Sequence, residues 1–499
     1  MSETRLTYTF GPLERRGLLG PVRLGQAAAI AAGAVLAIAA LDAAPTGTGA
    51  VVATLLFGSA VTAAVLPIGR RTIDEWIPVA LVFALRVAGG RTRQRSPLPA
   101  QGARVELKRT RSGLRFKHPS PTPPRSLRDV RIVEGAYRKR PIGIVSEQGG
   151  RRLTAVLACR ALAFALLDAE AQERRLARWG LILSGAANTP IRRLQWVERT
   201  VPAQGDELAR WLHDERDPAL PLRGTAMVES YLELIGATTR VAQEHELLVA
   251  VQIDARRIRG KDLDAFTEVL IEQAERIALG LHAAEVTVLG ALNPGQLARV
   301  LRTAFDPFAR AELAALEAAD PDRDGLAEAC AWPLGTREAW DHYQSDGAVH
   351  ATYWIGAWPR VEVSPLFMDA LLARSSVVRS VSVVFEPLSP ERSTREVEAA
   401  ITRDRADREL RHRFGQLETA RQRQSHEATL RREAELAAGH SEVRLSGFVT
   451  VSGRDEDELR RASAEVLEQA ARSRLELHRM YGQQEDAFAF TLPLCRGLR

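Results

Sequence analysis

Two long stretches without a charged residue lie near the start of the chain, from Leu24 to Leu41 and from Gly49 to Ile68. Each is close to the roughly 20 residues that an α-helix needs to cross the hydrocarbon core of a bilayer. The short turn between them, rich in proline and glycine, carries one charge, Asp42. The pattern predicts a transmembrane helical hairpin within residues 21–70.

Arginines flank this hairpin on both sides: Arg15, Arg16 and Arg23 precede it, and Arg70, Arg71, Arg86, Arg91, Arg93 and Arg95 follow it. Positively charged flanks stay on the cytoplasmic side of a membrane. The charge distribution therefore predicts a protein of the cell (inner or plasma) membrane, with both termini and the large remainder in the cytoplasm. A twin-arginine export leader, or burial of both stretches in a soluble core, remains as an alternative.

Within residues 71–98, an aromatic residue, Trp76, stands at the start of an apolar run that ends near Arg86. A helix of this kind suits the membrane interface, although a third membrane segment or a soluble core helix is also compatible with it. The predicted membrane-interface residues are Arg23, Arg70, Arg71, Trp76 and Arg86. Residues 99–129, rich in Pro, Gly, Ser and Arg, are predicted to form an extended linker.

The chain has 499 residues, a net charge of +6 and a pI near 9.5. The basic excess is concentrated after the hairpin: Arg115, Lys117, Arg125, Arg128, Arg131, Arg138, Lys139, Arg140, Arg151 and Arg152. Beside a bilayer, such a segment is attracted to anionic lipids. Direct contact with nucleic acid is not expected, because few aromatic residues are interleaved and no nucleic-acid-binding motif occurs.

Strand-like and helix-like runs alternate beyond the linker, which predicts an α+β body. The first unit, residues 130–310, contains predicted strands at Arg192–Val201, Glu246–Asp254 and Glu285–Leu292, with helices at Thr225–Arg240 and Asp262–Leu281. An aromatic-rich connector, residues 311–375, follows. The second unit, residues 376–499, contains predicted strands at Val377–Glu386, Glu442–Ser452 and Ala487–Leu492, with a helix at Asp455–Arg479.

The two predicted units share short sequences. Glu268–Ala274 is similar to Glu465–Ala470, and Leu279–His282 is similar to Leu475–His478. This similarity suggests an internal duplication in which each half is an α/β sandwich of the ferredoxin-like kind. Chance similarity between amphipathic helices is the alternative.

A long charged stretch from Pro390 to about Ala438 interrupts the second unit. Its apolar residues are sparse among many Arg and Glu residues, which predicts a helix or helical hairpin with a narrow apolar seam and solvated faces. Such an element either projects toward a partner or packs on its own sheet.

Motifs with a known chemistry are mostly missing. The phosphate-binding sequence G-x-x-x-x-G-K-[ST] is absent, since Gly260-Lys261 lacks the upstream glycine. Asp320–Gly325 copies the opening of a calcium loop, but Ala331 stands where the bidentate glutamate is required. The three cysteines are far apart and form no metal-binding spacing. We therefore expect a protein that is not an enzyme, with no catalytic, cofactor or metal site.

Aromatic residues cluster in the middle of the chain, at Trp332, Trp340, Tyr343, Tyr353, Trp354 and Trp358. Core packing is the favoured explanation, and binding of a ligand or peptide is the alternative.

Two regions resemble known families. The opening Thr9–Leu13, the hairpin and the following Gly69–Pro78 resemble PrgI-like membrane proteins from conjugative elements of Gram-positive bacteria. The far end, with Ser446–Val451, Asp455–Leu459, Tyr481–Gln484 and Thr491–Leu494, is similar to the end of the N-terminal domain of TraC-type conjugation ATPases. The whole layout is similar to an actinobacterial family of membrane proteins found with such ATPases.

In TraC-type proteins the motor domain follows this point, whereas here the chain stops at Arg499. The resemblance therefore implies the docking half of such a system, with the ATPase as a separate polypeptide and with homo-oligomers in a secretion complex. It places the ATPase contact at Tyr481, Gln483, Gln484, Phe490 and Pro493. EccE of type VII secretion is similar as well, with a comparable hairpin and cytosolic body, and an enzyme with an unrecognised site is the contrasting hypothesis.

Overall fold

The computed structural model describes residues 24–65, 67–68, 71–96, 106–110, 113–117, 122–137, 140–160, 164–202, 226, 229–230, 233, 243–258, 263–313, 328–359, 362–372, 377–413, 420–437 and 441–498. The chain divides into two compact units. The hairpin unit comprises Gly11–Arg91 and Thr394–Ala438, and the sheet body comprises Thr92–Ser393 and Gly439–Arg499, together with Met1–Phe10. Each unit is described by itself.

The helices are α1 (Leu24–Ala43), α2 (Gly47–Val65), α3 (Ile73–Ala88), α4 (Ala169–Ala186), α5 (Leu263–Ala283), α6 (Pro294–Phe305), α7 (Asp369–Leu372), α8 (Pro390–Arg413), α9 (Ala420–Ala437), α10 (Glu456–Arg472) and α11 (Gln484–Phe488). The strands are β1 (Pro67–Ile68), β2 (Arg71–Thr72), β3 (Arg93–Arg95), β4 (Glu106–Thr110), β5 (Gly113–Lys117), β6 (Arg131–Tyr137), β7 (Arg140–Glu147), β8 (Arg152–Arg160), β9 (Ile191–Pro202), β10 (Gln243–Asp254), β11 (Thr287–Ala291), β12 (Gly335–Glu338), β13 (Tyr343–Ser345), β14 (Ala348–Ala357), β15 (Arg379–Pro387), β16 (Val443–Gly453) and β17 (Glu476–Arg479).

In the hairpin unit, α1 and α2 pack side by side as the sequence predicted. The amide of Gln26 donates to the carbonyl of Ala64 at 2.8 Å, which joins the start of α1 to the end of α2. A Cβ atom on Gly33 would lie 2.2 Å from that of Ala60, so the helices approach at a point that only glycine allows. Both helices are long and apolar enough to cross a bilayer.

The sheet body is built on one antiparallel sheet of 13 strands. Its main order is β3-β12-β13-β14-β16-β15-β9-β10-β8-β7-β6, with β11 added to β8 and β17 added to β14. The predicted mixture of helices and sheet is confirmed, but the body is one large antiparallel sheet and not clearly two ferredoxin-like units. Strands β9 and β15 pair from Thr200 opposite Arg379 to Leu194 opposite Phe385, so that hydrogen bonds continue across the junction of the two halves.

The same order of elements occurs twice within this sheet. In the first half, β8-α4-β9-β10-α5-β11 has the spatial strand order β11-β8-β10-β9. In the second half, apart from the insertion of α8 and α9 between β15 and β16, β14-α7-β15-β16-α10-β17 has the corresponding order β17-β14-β16-β15. Glu268–Ala274 and Glu465–Ala470 lie at equivalent places, on α5 and α10. Leu279–His282 is still on α5, whereas Leu475–His478 runs into β17, so the second sequence similarity has no structural counterpart.

The two faces of the sheet carry different layers because side chains alternate along a strand. Leu194 and Trp196 point to the face covered by α4, α5, α7 and α10. Val197, together with Leu248 and Ala250 of the adjacent strand β10, points to the other face. This face is covered by α6, α11 and the chain end from Gln484 to Arg496. The core predicted for the aromatic cluster is confirmed for Trp332, Tyr343 and Tyr353, which are buried.

Several predicted boundaries were wrong. Ala487–Leu492 was predicted as a strand but forms the end of α11 and a 3-10 turn, because it crosses a face of the sheet and not its edge. The helix predicted to run to Arg479 ends at Arg472, and Glu476–Arg479 pairs with β14. Strands β4 and β5 pair inside the predicted linker. The predicted helix at Thr225–Arg240, except for four positions, and the loop Asp320–Gly325 lie outside the described residues.

Candidate membrane-facing and anion-binding sites

The hairpin unit exposes its apolar side chains. Val35, Ile38 and Leu55 are 65%, 68% and 66% exposed, although they lie in the middle of long helices. In water such a surface is unfavourable, at roughly 25 cal/mol per Å² of apolar area. Contact with hydrocarbon removes this cost, which makes the hairpin a candidate lipid-facing surface.

Helix α3 carries a second exposed apolar surface. Ile77, Leu81 and Leu85 follow at intervals of four residues and are 58%, 57% and 63% exposed. Residues at this spacing form one stripe along a helix. The stripe lies between Trp76 at the start of α3 and Arg86 in its last turn, both of them half-buried and in contact with other residues. This arrangement is typical of a helix at a membrane interface.

The other predicted interface arginines are less informative. Arg23 and Arg70 lie outside the described residues, and for Arg71 the structure describes only the backbone, in β2.

A cleft of about 620 Å³ in the sheet body is lined mainly by arginines; we refer to it as the arginine cleft. Its lining residues are Arg93, Gln94, Arg95, Thr122, Pro123, Arg128 and Arg131. Arg93 and Arg95 belong to β3 and Arg131 begins β6, which are the two ends of the main strand order. The sheet therefore curls until its two end strands line the same cleft.

Hydrogen bonds hold the walls of the arginine cleft together. The Gln94 side-chain amide donates to the carbonyls of Thr122 and Pro123, each at 2.9 Å. The Thr122 backbone amide donates to the Ser96 hydroxyl at 3.1 Å. These hydrogen bonds hold residues 122–124 beside β3. The turn that follows brings Arg128 to the cleft.

Acidic groups near the cleft are already paired. Arg125 lies within 3.6–3.8 Å of carboxylate oxygens of Glu338, Glu485 and Asp486. Arg496 binds the carboxylate of Asp129 at 2.7 Å. These ion pairs stabilise the fold beside the cleft but neutralise none of the arginines that line it.

Three arginines of the cleft keep their charge available. Arg93, Arg95 and Arg128 are exposed and form no ion pair with any residue that the structure describes. Arg337 of β12 is paired directly opposite Arg93 and is also exposed. Like charges opposite one another destabilise a sheet, so this edge favours an anion.

The predicted ATPase-contact residues occupy different environments. Gln484 is fully buried, and its side-chain oxygen accepts a hydrogen bond from the backbone amide of Thr352 at 2.8 Å. Pro493 is buried as well. Their side chains face the interior, so that they offer no surface to a separate protein. Tyr481, Gln483 and Phe490 are half-exposed. The predicted ATPase contact stays a prediction, and only Tyr481, Gln483 and Phe490 of the five residues have an accessible surface for it.

Tyr481 stacks on Trp340, with ring centroids 6.3 Å apart and planes inclined by 28°. Trp340 is also half-exposed. Exposed aromatic pairs of this kind are common at protein interfaces. Phe490, in contrast, packs against the buried Phe448 at 4.8 Å and has an internal role.

The chain end from Gln484 to Arg496, here the C-terminal strap, is held by buried side chains of the sheet. The Gln195 amide donates to the carbonyls of Phe490 and Leu492 at 3.0 and 2.9 Å. The Gln252 amide donates to the carbonyl of Leu494 at 3.2 Å. These bonds give partners to backbone carbonyls of a largely irregular segment that lies buried.

The buried groups with reactive side chains have structural roles. His350 is fully buried between the hydroxyls of Ser345 and Ser452, each 2.8 Å from a ring nitrogen. Burial lowers the pKa of His350 to about 4, so the ring is neutral at pH 7. Burial also raises the pKa of the Cys159 thiol to about 12. Neutral groups enclosed in this way have no access to substrate.

In the part of the chain that the structure describes, no group of three or more His, Cys, Asp or Glu residues has an arrangement that could hold a metal ion. Gly260-Lys261 and the calcium-like loop lie outside that part.

The arginine cleft was not predicted from the sequence: the basic residues were recognised, but not which of them lie together. The alternation of Arg93 and Arg95 on a short strand was the available signal.

Comparison with known proteins matches the chain to no family model and to no curated protein.

Proposed function

We propose that the chain is a membrane-anchored, non-catalytic docking component of a conjugative (type IV-like) apparatus that secretes DNA or protein and recruits a separate TraC-type ATPase. The observation that carries the proposal is the covalent joining of a hairpin with exposed apolar helices to a large sheet body. An anchor of this kind holds a protein surface at a membrane, which is what a motor needs at the entrance of a channel.

In the proposed topology the hairpin spans the cell membrane and both termini lie in the cytoplasm with the sheet body. Arginines on both flanks of the hairpin support this orientation. The exposed apolar stripe of α3 supports a position for this helix at the interface.

The sheet body is proposed to consist of two ferredoxin-like units joined edge to edge through β9 and β15. The support is the repeated strand order, since both halves follow β-α-β-β-α-β with the fourth strand beside the first. Edge-to-edge joining leaves the helices of both halves on one face. This face and the insertion of α8 and α9 are the proposed surfaces for partners and for further copies of the chain.

Helices α8 and α9 have the composition of a solvated element. Val397, Ala400 and Ile401 form a narrow buried seam on α8. A carboxylate oxygen of Glu396 lies 4.0 Å from Arg432 of α9, which links the two helices. An oppositely charged surface is the kind of partner that suits an element with this charge content.

The ATPase contact is proposed at Tyr481 and Gln483, beside Trp340. The test is affinity capture of the tagged full chain from membranes in mild detergent, with the companions identified by mass spectrometry. We expect a TraC-type ATPase to be captured by the native chain and lost in Tyr481→Ala. The control, Leu289→Ala, shortens a more exposed apolar side chain on β11 and is expected to retain the ATPase.

Two results would overturn the proposal. Capture of type VII components in place of the ATPase would favour an EccE-like role. A protease or reporter that finds residue 300 outside the cell would exclude the topology on which ATPase recruitment depends.

A further inference from the structure

Three of the four arginines that line the arginine cleft form no ion pair with a described residue. Arg93, Arg95 and Arg128 line it without an ion pair to any described residue, while nearby Arg125 and Arg496 are paired with acids. Gathering three guanidinium groups costs electrostatic energy in the absence of an anion. Guanidinium groups bind phosphate through paired, charge-assisted hydrogen bonds, so phosphate is the matching chemistry.

The shape of the cleft favours a compact ligand. A volume of about 620 Å³ lies in the range of sites for small molecules and headgroups. Single-stranded nucleic acid is bound along extended basic grooves with aromatic side chains on which bases stack. The lining consists of four arginines with Gln94, Thr122 and Pro123, and none of these residues is aromatic. A lipid headgroup therefore fits the lining better than a nucleic acid.

The position of the cleft in the chain brings it within reach of a bilayer. Helix α3 ends at Ala88 and β3 begins at Arg93, so the connection spans at most about 18 Å. The apolar stripe of α3 suits the interface, where anionic headgroups are found. A connection of this length allows Arg93 to reach the lipid phosphates of the leaflet on which α3 would lie.

We infer that the arginine cleft binds the phosphate of an anionic phospholipid headgroup. The bound headgroup fixes the first strand of the sheet, β3, against residues 122–131 and so orients the sheet body relative to the membrane. The inference rests on the membrane anchoring in the proposed function but is independent of the ATPase.

The test uses the full chain in nanodiscs of phosphatidylcholine, with and without phosphatidylglycerol, followed by hydrogen–deuterium exchange of peptides that contain residues 93–96 and 122–131. When the lipid concentration is about ten times its Kd, a bound headgroup should make the hydrogen exchange that requires the cleft to open about tenfold slower. We expect this slowing with phosphatidylglycerol. It should be lost in Arg93→Gln/Arg95→Gln/Arg128→Gln.

The matched control is Arg160→Gln/Arg256→Gln/Arg461→Gln, which removes the same charge from exposed arginines outside the cleft. The control should keep the slowing caused by phosphatidylglycerol. If it loses the slowing as well, the effect is one of net charge and the site is wrong. If the cleft variant does not unfold cooperatively, Arg128→Gln alone serves in its place.

Further arms identify the source of the phosphate. Equal protection by inorganic phosphate in phosphatidylcholine discs would show a general anion site and overturn the lipid assignment. Protection by a single-stranded oligonucleotide but not by phosphatidylglycerol would overturn it in favour of nucleic acid. Retention of the chain in alkali-washed membranes is measured separately, so that failure of this inference and failure of the proposed anchoring are distinguishable.

Discussion

The hairpin unit and the sheet body use the same apolar residue types in opposite ways. Val35 and Leu55 of the hairpin are about two-thirds exposed, whereas Val156 and Leu297 of the sheet body are fully buried. The difference lies in what covers the side chains. In the body, helices and the C-terminal strap cover both faces of the sheet, and in the hairpin no described residue covers these positions.

The comparison teaches that hydrophobicity identifies a surface to be covered but not the material that covers it. A β-sheet buries its apolar faces against other parts of the same chain, because backbone groups at its edges still need water or a partner. A helix satisfies its backbone internally and tolerates lipid. The four predictions below, from the largest effect to the smallest, test this contrast.

Truncation after Gln483 should unfold the sheet body. It removes Phe488, Leu492 and Leu494, which are buried, and leaves Gln195 without its backbone acceptors. Burial of each large apolar side chain contributes about 1.5–3 kcal/mol, so the total loss approaches the 5–15 kcal/mol that stabilises a typical domain. Cooperative unfolding, followed by near-ultraviolet circular dichroism, should disappear while the chain stays in the membrane fraction.

The control for this truncation ends the chain after Gly497 and removes only Leu498, which is exposed, and Arg499. It should unfold nearly like the native chain. A sheet body that keeps its cooperative transition without the strap would contradict the assignment of the strap to the core.

Two phenylalanines compare the units directly. Phe305→Ala removes a fully buried ring that packs on Phe488 at 5.1 Å, and it should lower the free energy of unfolding of the sheet body by about 3–5 kcal/mol. Phe57→Ala, on the exposed side of α2, should change it by less than about 0.5 kcal/mol. Denaturant titration of both variants gives the measurement, and equal effects would refute the contrast.

A charge in the middle of α2 tests lipid contact. Leu55→Arg places a guanidinium near the centre of the apolar stretch, where insertion costs about 2.5–3.5 kcal/mol. We expect a smaller membrane-inserted fraction, measured by alkaline extraction. Leu166→Arg, at an exposed position of the sheet body, should leave insertion unchanged. Unaltered insertion of Leu55→Arg would argue against lipid around this helix.

The sheet body should contribute a pH dependence of stability through His350, whereas α2 contains no titratable residue. The unfolded chain protonates His350 near pH 6.5, while the folded body, with a pKa of about 4 for this ring, does not. The free energy of unfolding therefore falls as the pH is lowered from 6.5 to 4, by up to about 3 kcal/mol through this group.

His350→Gln isolates the contribution, since burial raises the pKa of Glu147 and Glu485 and these groups act in the opposite direction. Denaturant titrations at pH 7 and pH 4 should show a smaller decrease for the variant than for the native chain. Equal decreases in both proteins would assign the pH dependence to other groups.

Local patterns in the sequence predicted individual elements well. The predicted strands at Arg192–Val201 and Val377–Glu386 agree with β9 and β15 within two residues, and the predicted helix at Asp262–Leu281 agrees with α5. These elements carry strong periodic patterns. The strap was mispredicted because Ala487–Leu492 is apolar enough for a strand, while its actual place depends on side chains some 300 positions away, such as Gln195.

The arginine cleft illustrates the same limit. The basic composition after the hairpin was evident, yet Arg93 and Arg131 come together only because a curled sheet brings its end strands to one cleft. Arg125, which is paired with acids, and Arg128, which has no ion pair with a described residue, are three residues apart and indistinguishable by sequence pattern.

The amino-acid sequence by itself determined the two apolar helices, the alternation of strands and helices and the basic character after the hairpin, because these properties depend on neighbouring residues. Only the tertiary structure decided that both halves form one sheet, that the strap is core and which arginines pair with acids among the described residues. These properties depend on hydrogen bonds and ion pairs between residues far apart in the chain, and local periodicity carries no information about such pairings.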